Sequence, residues 1–501
     1  MITAVPGIDL VLLDIGGTLV EEAIPGTAIS DLVARPLPSV VEVLEGLSTH
    51  HRLGAVTDTA VMDEETVRGL LVPSGIAALL ETIVTSHDVG AAKPDPQGLI
   101  EACRRLGVSP ERTLFIGDRE VDRGAAQAAG APFVGVDRGL ADAIGRAVGS
   151  RSGAFATAAH AVRPLDADAI GAAQARQAKL TKPAGSLGRL EQLGNLLAGI
   201  SGRCPPPIPT RPTVVVFAAD HGVATSGVTP WPQDITAAMV ANFAAGGAAI
   251  NALARQVGAA VHIVDVGVAT DLDHLDGVLH HKVRYGTDDL TAGPAMSTGD
   301  VRAALDVGAS VAATLIAEGH DLLVTGDMGI GNTTASAALI AAFTRRPAES
   351  VTGRGTGIDD AMLAHKTKVV SNAIGRVEHF LDPVSVLAEV GGLEIAALTG
   401  FIIGAVSARI PVVIDGVIAC AALLAADALV DGARVHCIAG HRSTEPGASA
   451  ALQHLGLEPL LELQLRLGEG TGACLAVPIV GAAARVLNEM ATFEELEERR
   501  A

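Results

Sequence analysis

GDMGIGNTT, residues Gly326 to Thr334, lies between a short apolar run, Leu322 to Thr325, and an alanine-rich helical pattern that begins near Ala335. A strand, a glycine turn and a helix start in that order make an anion site. Backbone N–H groups point outward at such a junction and the helix dipole adds partial positive charge, so a phosphate can be held without a lysine. No Gly-Lys-Ser/Thr follows, which excludes a P-loop. Asp327 places a carboxylate where a phosphate-bearing sugar would extend. Taken alone, the stretch fits a plain strand-to-helix turn with Asn332, Thr333 or Thr334 as N-cap equally well.

Its surroundings repeat the pattern. Strands are expected near 213–217, 261–266, 321–325, 411–414 and 435–439, each followed by a helical or glycine-rich segment. Such alternation predicts an α/β domain with a mostly parallel sheet flanked by helices. Polar residues collect at the strand ends: Asp220-His221, Trp231 to Asp234, Asp288-Asp289, Gly353 to Asp360 with Lys366 beyond, Asp415, His441 to Ser443, and Arg466 to Gly472. One glycine-flanked polar residue is ordinarily turn chemistry; seven such sets in one βα frame point to a site.

The chain has 501 residues, more than one core usually serves. Its 49% hydrophobic but only 2% aromatic content describes cores of Ala, Val, Leu and Ile. A formal charge of −20 repels nucleic acid and acidic membrane surfaces, which favours small-molecule work. Five scattered cysteines without a Cys-x-x-Cys pair read as reduced, cytoplasmic and non-metal. Mean hydropathy is +0.40. The apolar stretches Ile395 to Ala408 and Gly416 to Ala426 nevertheless stop short of the roughly 20 residues that span a bilayer, so no membrane span is expected. The N-terminus has no secretory-signal pattern.

The first 149 residues read as a separate Rossmann-like α/β domain, with a linker over 150–165 and the larger domain over 166–501. An apolar strand, Ile8 to Leu13, delivers Asp14, Gly16, Gly17 and Thr18 at its carboxyl end. A second, Leu53 to Val56, ends in Thr57-Asp58; Lys93-Pro94 follows; and Thr113 to Ile116 runs into Gly117-Asp118 with Asp122 beyond. Together these make a phosphoryl site: carboxylates for Mg²⁺, Thr57 and Lys93 for phosphate oxygens, and Asp14 as nucleophile. The set resembles the haloacid dehalogenase superfamily, whose four motifs match DIGGTL at 14–19, Thr57, Lys93 and GDREVD at 117–122. The resemblance implies Asp14, the Gly16 carbonyl, Asp118 and Asp122 around Mg²⁺. Where phosphatases of that superfamily carry an aspartate that protonates the leaving oxygen, this chain has Gly16, a loss expected to cost on the order of 10² to 10⁴ in rate. The spacings leave no room for a cap domain. A scaffold and a slow phosphatase both fit.

The larger domain resembles the nicotinate-nucleotide dimethylbenzimidazole phosphoribosyltransferases. KPAGSLGRLE at 182–191, AADHGV at 219–224, GDMGIGNTT at 326–334, GRGTGIDD at 353–360 and RLGEGTG at 466–472 stand in that family's order. The resemblance implies phosphoribosyl transfer from nicotinate mononucleotide to dimethylbenzimidazole, no cofactor for the transferase, and a homodimer. It assigns Glu469 as the base, with Asp327 beside the reacting groups where the family usually has glutamate. Phosphate is expected against Gly329, Gly331, Asn332, Thr333 and Thr334 with Lys366 and Ser443. Gln233 is expected on the base, Trp231 in place of a tyrosine, and Arg466, Leu467 and Gly468 along the substrate. Three alternatives stay open: a bifunctional enzyme that also dephosphorylates the product, a non-catalytic nucleotide sensor, and a metal-dependent hydrolase using His221 and His441. For those two histidines, each beside glycine, a structural hydrogen bond is the plainer expectation.

Overall fold

The computed structural model describes residues 5, 8–23, 27–136, 139–141, 143–144, 153–377 and 382–499. The chain divides into two compact units, Met1–Gly153 and Ala154–Ala501.

Unit 1 is built on strands β1 (Leu10–Leu13), β2 (Arg52–Thr57), β3 (Thr82–Thr85), β4 (Thr113–Gly117) and β5 (Phe133–Gly135), all parallel in the order β3-β2-β1-β4-β5. β1 is buried on both faces, as parallel strands are when helices cover each side. Its alternation divides the core: Leu10 and Leu12 join Val56, Val84 and Phe115, whereas Val11 and Leu13 join Leu53, Ile83 and Ile116. Helices Val40–Ser48 and Glu64–Leu71 supply one layer, Gln97–Leu106 and Glu120–Ala129 the other. Among the described residues, the connections on either side of β2 hold one α-helix each and short 3₁₀ turns, with no cap domain. Strands β3 and β5, at the two edges of the sheet, lie outside the sequence reading.

Unit 2 carries β6 (Pro212–Ala219), β7 (Ala260–Gly267), β8 (Val278–His280), β9 (Leu322–Met328), β10 (Val412–Ile414) and β11 (Cys437–Ala439), again all parallel, in the order β11-β10-β9-β6-β7-β8. The chain leaves β6 in one direction and returns on its other side as β9. That reversal opens a crevice at the strands' carboxyl ends. Helices Leu393–Ser407 and Val417–Leu429 pack on the sheet in one core with Val215, Phe217 and Leu323, and Thr298–Ala317 and Asn332–Thr344 pack on those helices. Helices Arg189–Ser201, Asp234–Ala244, Ala249–Val257 and Thr471–Glu489 pack on Val214, Val216 and Val324.

The segment expected as a linker differs. In its described part it holds the helix Ala154–Ala161, which packs against Thr298–Ala317 and Leu393–Ser407, and the Phe155 N–H donates to Asp306 Oδ1 at 2.9 Å. A helix made largely of alanine packs through small side chains and shows little apolar contrast in sequence, so its period is invisible there. Two stretches have the length and composition of a membrane span, Asp234–Val257 and Thr471–Glu489. The first is two helices interrupted at Ala245 to Ala248; the second packs against helix Arg189–Ser201. The two apolar helices noted in the sequence, Leu393–Ser407 and Val417–Leu429, are shorter and almost wholly buried.

Candidate functional site

In unit 2, β9 runs three residues past the expected strand, so Asp327 lies within it, in register with Phe217 of β6. Helix Asn332–Thr344 then starts at once, and its N-cap is Gly331 at φ +98°, a conformation that costs glycine nothing. The expected caps Asn332, Thr333 and Thr334 instead fill the first turn with their side chains turned to other work. Asn332 Nδ2 donates to Asp327 Oδ2 at 3.1 Å, Thr333 Oγ1 accepts from Lys366 Nζ at 2.8 Å, and Thr334 Oγ1 is buried without a partner. Capping by glycine leaves the Asn332 and Thr333 side chains to face Asp327 and Lys366.

Arg466 to Gly470 brings up the facing wall. A Cβ at Gly468 would stand 3.1 Å from Asp327 Oδ2, and Gly470, at φ +87°, caps helix Thr471–Glu489. Between them Glu469 is 5% exposed and held in the left-handed region at φ +64°. Its Oε2 accepts a long bond from the Ile250 N–H, 3.3 Å. Burial pushes the Glu469 carboxyl above its ordinary pKa, the Ile250 N–H pulls it back, and Asp415 pushes it up again. Asp327 is raised well above the usual carboxylate value, first by burial and then by Asp415, Glu394 and Glu469, against the Asn332 hydrogen bond. Its Oδ1 has no partner. The crevice floor is thus a set of buried carboxyls whose charges act on Asp327.

Two members of that set were not assigned a role from sequence. Glu394, in the first turn of Leu393–Ser407, is fully buried and its Oε1 lies 2.7 Å from His221 Nε2. Burial lowers the His221 pKa, but Glu394 and Asp220 outweigh it and the net shift is upward. Asp415, after β10, accepts from the Ala473 N–H at 2.9 Å and stands 3.4 Å from His441 Nδ1. A lone acid inside the apolar run of 391–400 is the signal that marks Glu394. His221 therefore hydrogen-bonds a carboxylate, as expected, whereas His441 Nδ1 stands near Asp415 without a hydrogen-bond partner. Among the described residues, the group of three or more acidic, histidine or cysteine ligands that converge lies elsewhere, in unit 1.

The other end of the crevice is basic. Lys366 is 2% exposed, and burial lowers its pKa to about 8 although Glu445 opposes the shift. Glu445 Oε1 accepts from the Gly355 N–H at 2.8 Å, Ser443 Oγ accepts from the Glu445 N–H at 3.3 Å, and Arg466 Nη1 donates to Gly355 O at 3.3 Å. These contacts bring Asn332, Thr333, Lys366, Ser443, Arg466, Gly468 and Asp327 into one neighbourhood. A Cβ at Gly329 would stand 3.4 Å from the His221 ring, and one at Gly331 would stand 3.2 Å from His221 Cβ. Gln233 Nε2 donates to His221 O at 2.8 Å. Trp231, 48% exposed, donates from Nε1 to Thr356 Oγ1 at 3.0 Å, and Leu467 is also exposed, so both stand at the rim.

In unit 1, Asp14 follows β1 and is buried; Lys93 Nζ lies 2.6 Å from its Oδ1 and 2.5 Å from Asp122 Oδ1. Burial raises Asp14 to about 6 against the pull of Lys93, with Asp122 pushing the same way as burial. Asp14, Asp118 and Asp122 offer oxygens that all lie within 4.8 Å of one another, a donor set suited to a hard divalent cation. Asp14 Oδ2 is buried and without a hydrogen-bond partner. Thr18 Oγ1 donates to Asp118 Oδ1 at 3.1 Å. Asp14, Gly16 and Thr57 line one cavity of about 600 Å³. A Cβ built at Gly16 meets nothing within 4 Å.

Two family models match this chain. Residues 162–497 match the family model described as phosphoribosyltransferase, and residues 27–136 match that of haloacid dehalogenase-like hydrolases, a span that includes Thr57, Lys93, Asp118 and Asp122. The nicotinate-nucleotide–dimethylbenzimidazole phosphoribosyltransferase of Salinispora tropica is 52% identical over 349 residues, 67% of this chain and 96% of the relative. That of Chloroflexus aurantiacus is 55% identical over 335 residues, 67% of this chain and 95% of the relative. The crystal structure of CobT from Thermus thermophilus is 47% identical, with TM-score 0.64, and covers 66% of this chain and 98% of its own. With about half of the aligned positions shared across nearly the full length of these relatives, the chain belongs to the nicotinate-nucleotide–dimethylbenzimidazole phosphoribosyltransferase family, and it carries a haloacid dehalogenase-like domain ahead of that enzyme.

Proposed function

We propose that unit 2 transfers the phosphoribosyl group of nicotinate mononucleotide to dimethylbenzimidazole, giving α-ribazole phosphate and nicotinate, with Glu469 as the base. The observation that carries this is the placement of Glu469: a buried carboxyl of raised pKa, held at positive φ between two glycines that let a flat ring approach. Glu469 takes the benzimidazole N–H proton while the other ring nitrogen attacks the anomeric carbon from the face opposite nicotinate. The glycosidic C–N bond breaks and its electron pair returns to the pyridinium nitrogen, which leaves neutral and needs no acid. Lys366, Thr333 and the N-terminus of helix Asn332–Thr344 hold the phosphate. Asp327, raised well above its ordinary pKa, is suited to donate a hydrogen bond rather than to act as a second base. Incubation with both substrates is expected to yield nicotinate and α-ribazole phosphate in equal amounts. Nicotinate release at the same rate without an acceptor would make the protein a glycohydrolase, and binding without turnover would make it a sensor.

For unit 1 the proposal is a slow Mg²⁺-dependent phosphatase with Asp14 as nucleophile. Asp14, Asp118, Asp122 and the Gly16 carbonyl would hold the cation, which when bound neutralises charge on the phosphate. Lys93 orients Asp14 through Oδ1. The expected outcome is Mg²⁺-dependent phosphate release that Asp14→Asn abolishes. Rapid release from α-ribazole phosphate would make the chain a bifunctional enzyme.

A further inference from the structure

We propose that the unit 1 cavity takes phosphate monoesters with an apolar body and a leaving oxygen stable as an anion, aryl phosphates above all, rather than alkyl phosphates. This rests on the reading of unit 1 as a phosphoryl-transfer site and names the substrate class of that site. Three features of the cavity carry it.

The first is the attacking atom. Lys93 holds Asp14 Oδ1, whereas Oδ2 of this 1% exposed residue has no hydrogen-bond partner and the residue lines the cavity. The second is the wall. Leu32, Val33, Met62, Val67 and Leu70 line the same cavity of about 600 Å³, and Val33 is 73% exposed, so an apolar group entering there would cover it. Arg119 stands at the polar end, its Nη2 3.7 Å from both Asp14 Oδ2 and Asp58 Oδ2. That arrangement suits a ligand anionic at one end and apolar at the other.

The third is the supply of protons. An alkoxide needs a proton as its P–O bond breaks, whereas a phenol ionises near pH ~10 or below and leaves unaided. Among the described residues beside Asp14, none is placed to give one. Lys93 Nζ is committed to Asp14 and Asp122, and the Arg119 guanidinium does not release its protons. Asp58 accepts from the Lys93 N–H at 3.0 Å and faces Arg119. Glu21, Glu22 and Asp31 also line the cavity, but they are exposed and make no hydrogen bond or ion pair with Asp14 among the described residues. The space in front of Gly16 holds nothing within 4 Å of a built Cβ.

In the proposed step a lone pair of Asp14 Oδ2 forms the O–P bond, and the P–O(aryl) bond breaks with its electron pair leaving on the phenolate. Water then attacks phosphorus, the bond to Asp14 breaks, and the carboxylate returns. One water proton stays on inorganic phosphate and the other reaches the phenolate through solvent.

The test uses the full chain with Mg²⁺ and two esters of similar apolar bulk, 4-nitrophenyl phosphate and n-hexyl phosphate. The aryl ester is expected to turn over at least about 100-fold faster, and Gly16→Asp to raise hexyl phosphate hydrolysis about tenfold or more with no comparable gain on the aryl ester. Equal wild-type rates that Asp14→Asn abolishes would overturn the substrate class and leave the phosphoryl-transfer reading standing. Absence of any Asp14-dependent hydrolysis would remove that reading, and the proposal with it. Calorimetry on Asp14→Asn tests the wall apart from turnover: 4-nitrophenyl and hexyl phosphates should both bind more tightly than ethyl phosphate. Equal affinities for all three overturn the apolar subsite.

Discussion

Glu469 and Lys366 mark the two ends of the transferase crevice, and both are titratable groups moved by burial. Glu469→Gln keeps the shape and removes the base, so turnover is expected to fall on the order of 10² or more while nucleotide affinity holds, because phosphate is gripped elsewhere. Single-turnover rates with a separate nucleotide titration measure the two effects apart. Unchanged turnover would move the base role to Asp327. Lys366, lowered to about 8, is charged below that pH and neutral above it. Attraction for the nucleotide phosphate should therefore be present at pH 7 and fade as pH rises through about 8. The expected signature is a fall in kcat/KM for nicotinate mononucleotide above that pH, which Lys366→Met flattens to a uniformly low value. An identical alkaline limb in Lys366→Met would assign the titration to another group.

Helices Thr298–Ala317 and Leu393–Ser407 meet at close range. A Cβ at Gly308 of helix Thr298–Ala317 would fall 1.8 Å from Ala397 O, and one at Gly400 of helix Leu393–Ser407 would fall 1.9 Å from Leu305 O. The two backbones touch, and no side chain fits between them. Gly400→Ala must push the helices apart, an overpacking cost of typically about 1–3 kcal/mol. The second helix bears Glu394, the partner of His221, so displacement should reach the crevice as well. The expected outcome is a lower denaturant midpoint together with reduced turnover. A variant as stable and as active as the parent would show that the contact yields easily. Ala397→Gly, which enlarges no side chain, serves as the control.

Across the whole molecule the boundary of unit 2 is set by packing. Helix Ala154–Ala161 buries Ala156 and Ala158 and ties Phe155 to Asp306. A chain that begins at 154 should therefore melt several degrees above one that begins at 166, with nicotinate release still dependent on acceptor in the longer form. Scanning calorimetry of the two separates them. Equal melting temperatures would return the helix to the status of a linker. The charge of −20 acts at the same scale, since it concerns what the surface repels and leaves the fold untouched.

Much of this protein was legible in one dimension because its chemistry sits where strands end. Alternating apolar runs and glycine turns gave away two parallel sheets, and Asp14, Asp118 and Asp327 lie at the ends of β1, β4 and β9, where a contiguous motif records both the turn and the residue it presents, whereas Lys366 lies within helix Asp360–Val377. Three things needed the tertiary structure. Short edge strands such as β5 and β8 exist only because a neighbour pairs with them. The helix Ala154–Ala161 is defined by the two helices it packs on, because alanine shows no periodic contrast. The carboxyl cluster joins Asp327, Glu394, Asp415 and Glu469 across long sequence separations, and the raised pKa values follow from that convergence and from burial. Sequence spacing carries turn chemistry, whereas the energy of a buried charge depends on how far it lies from water and from other charges, and only the folded chain sets those distances.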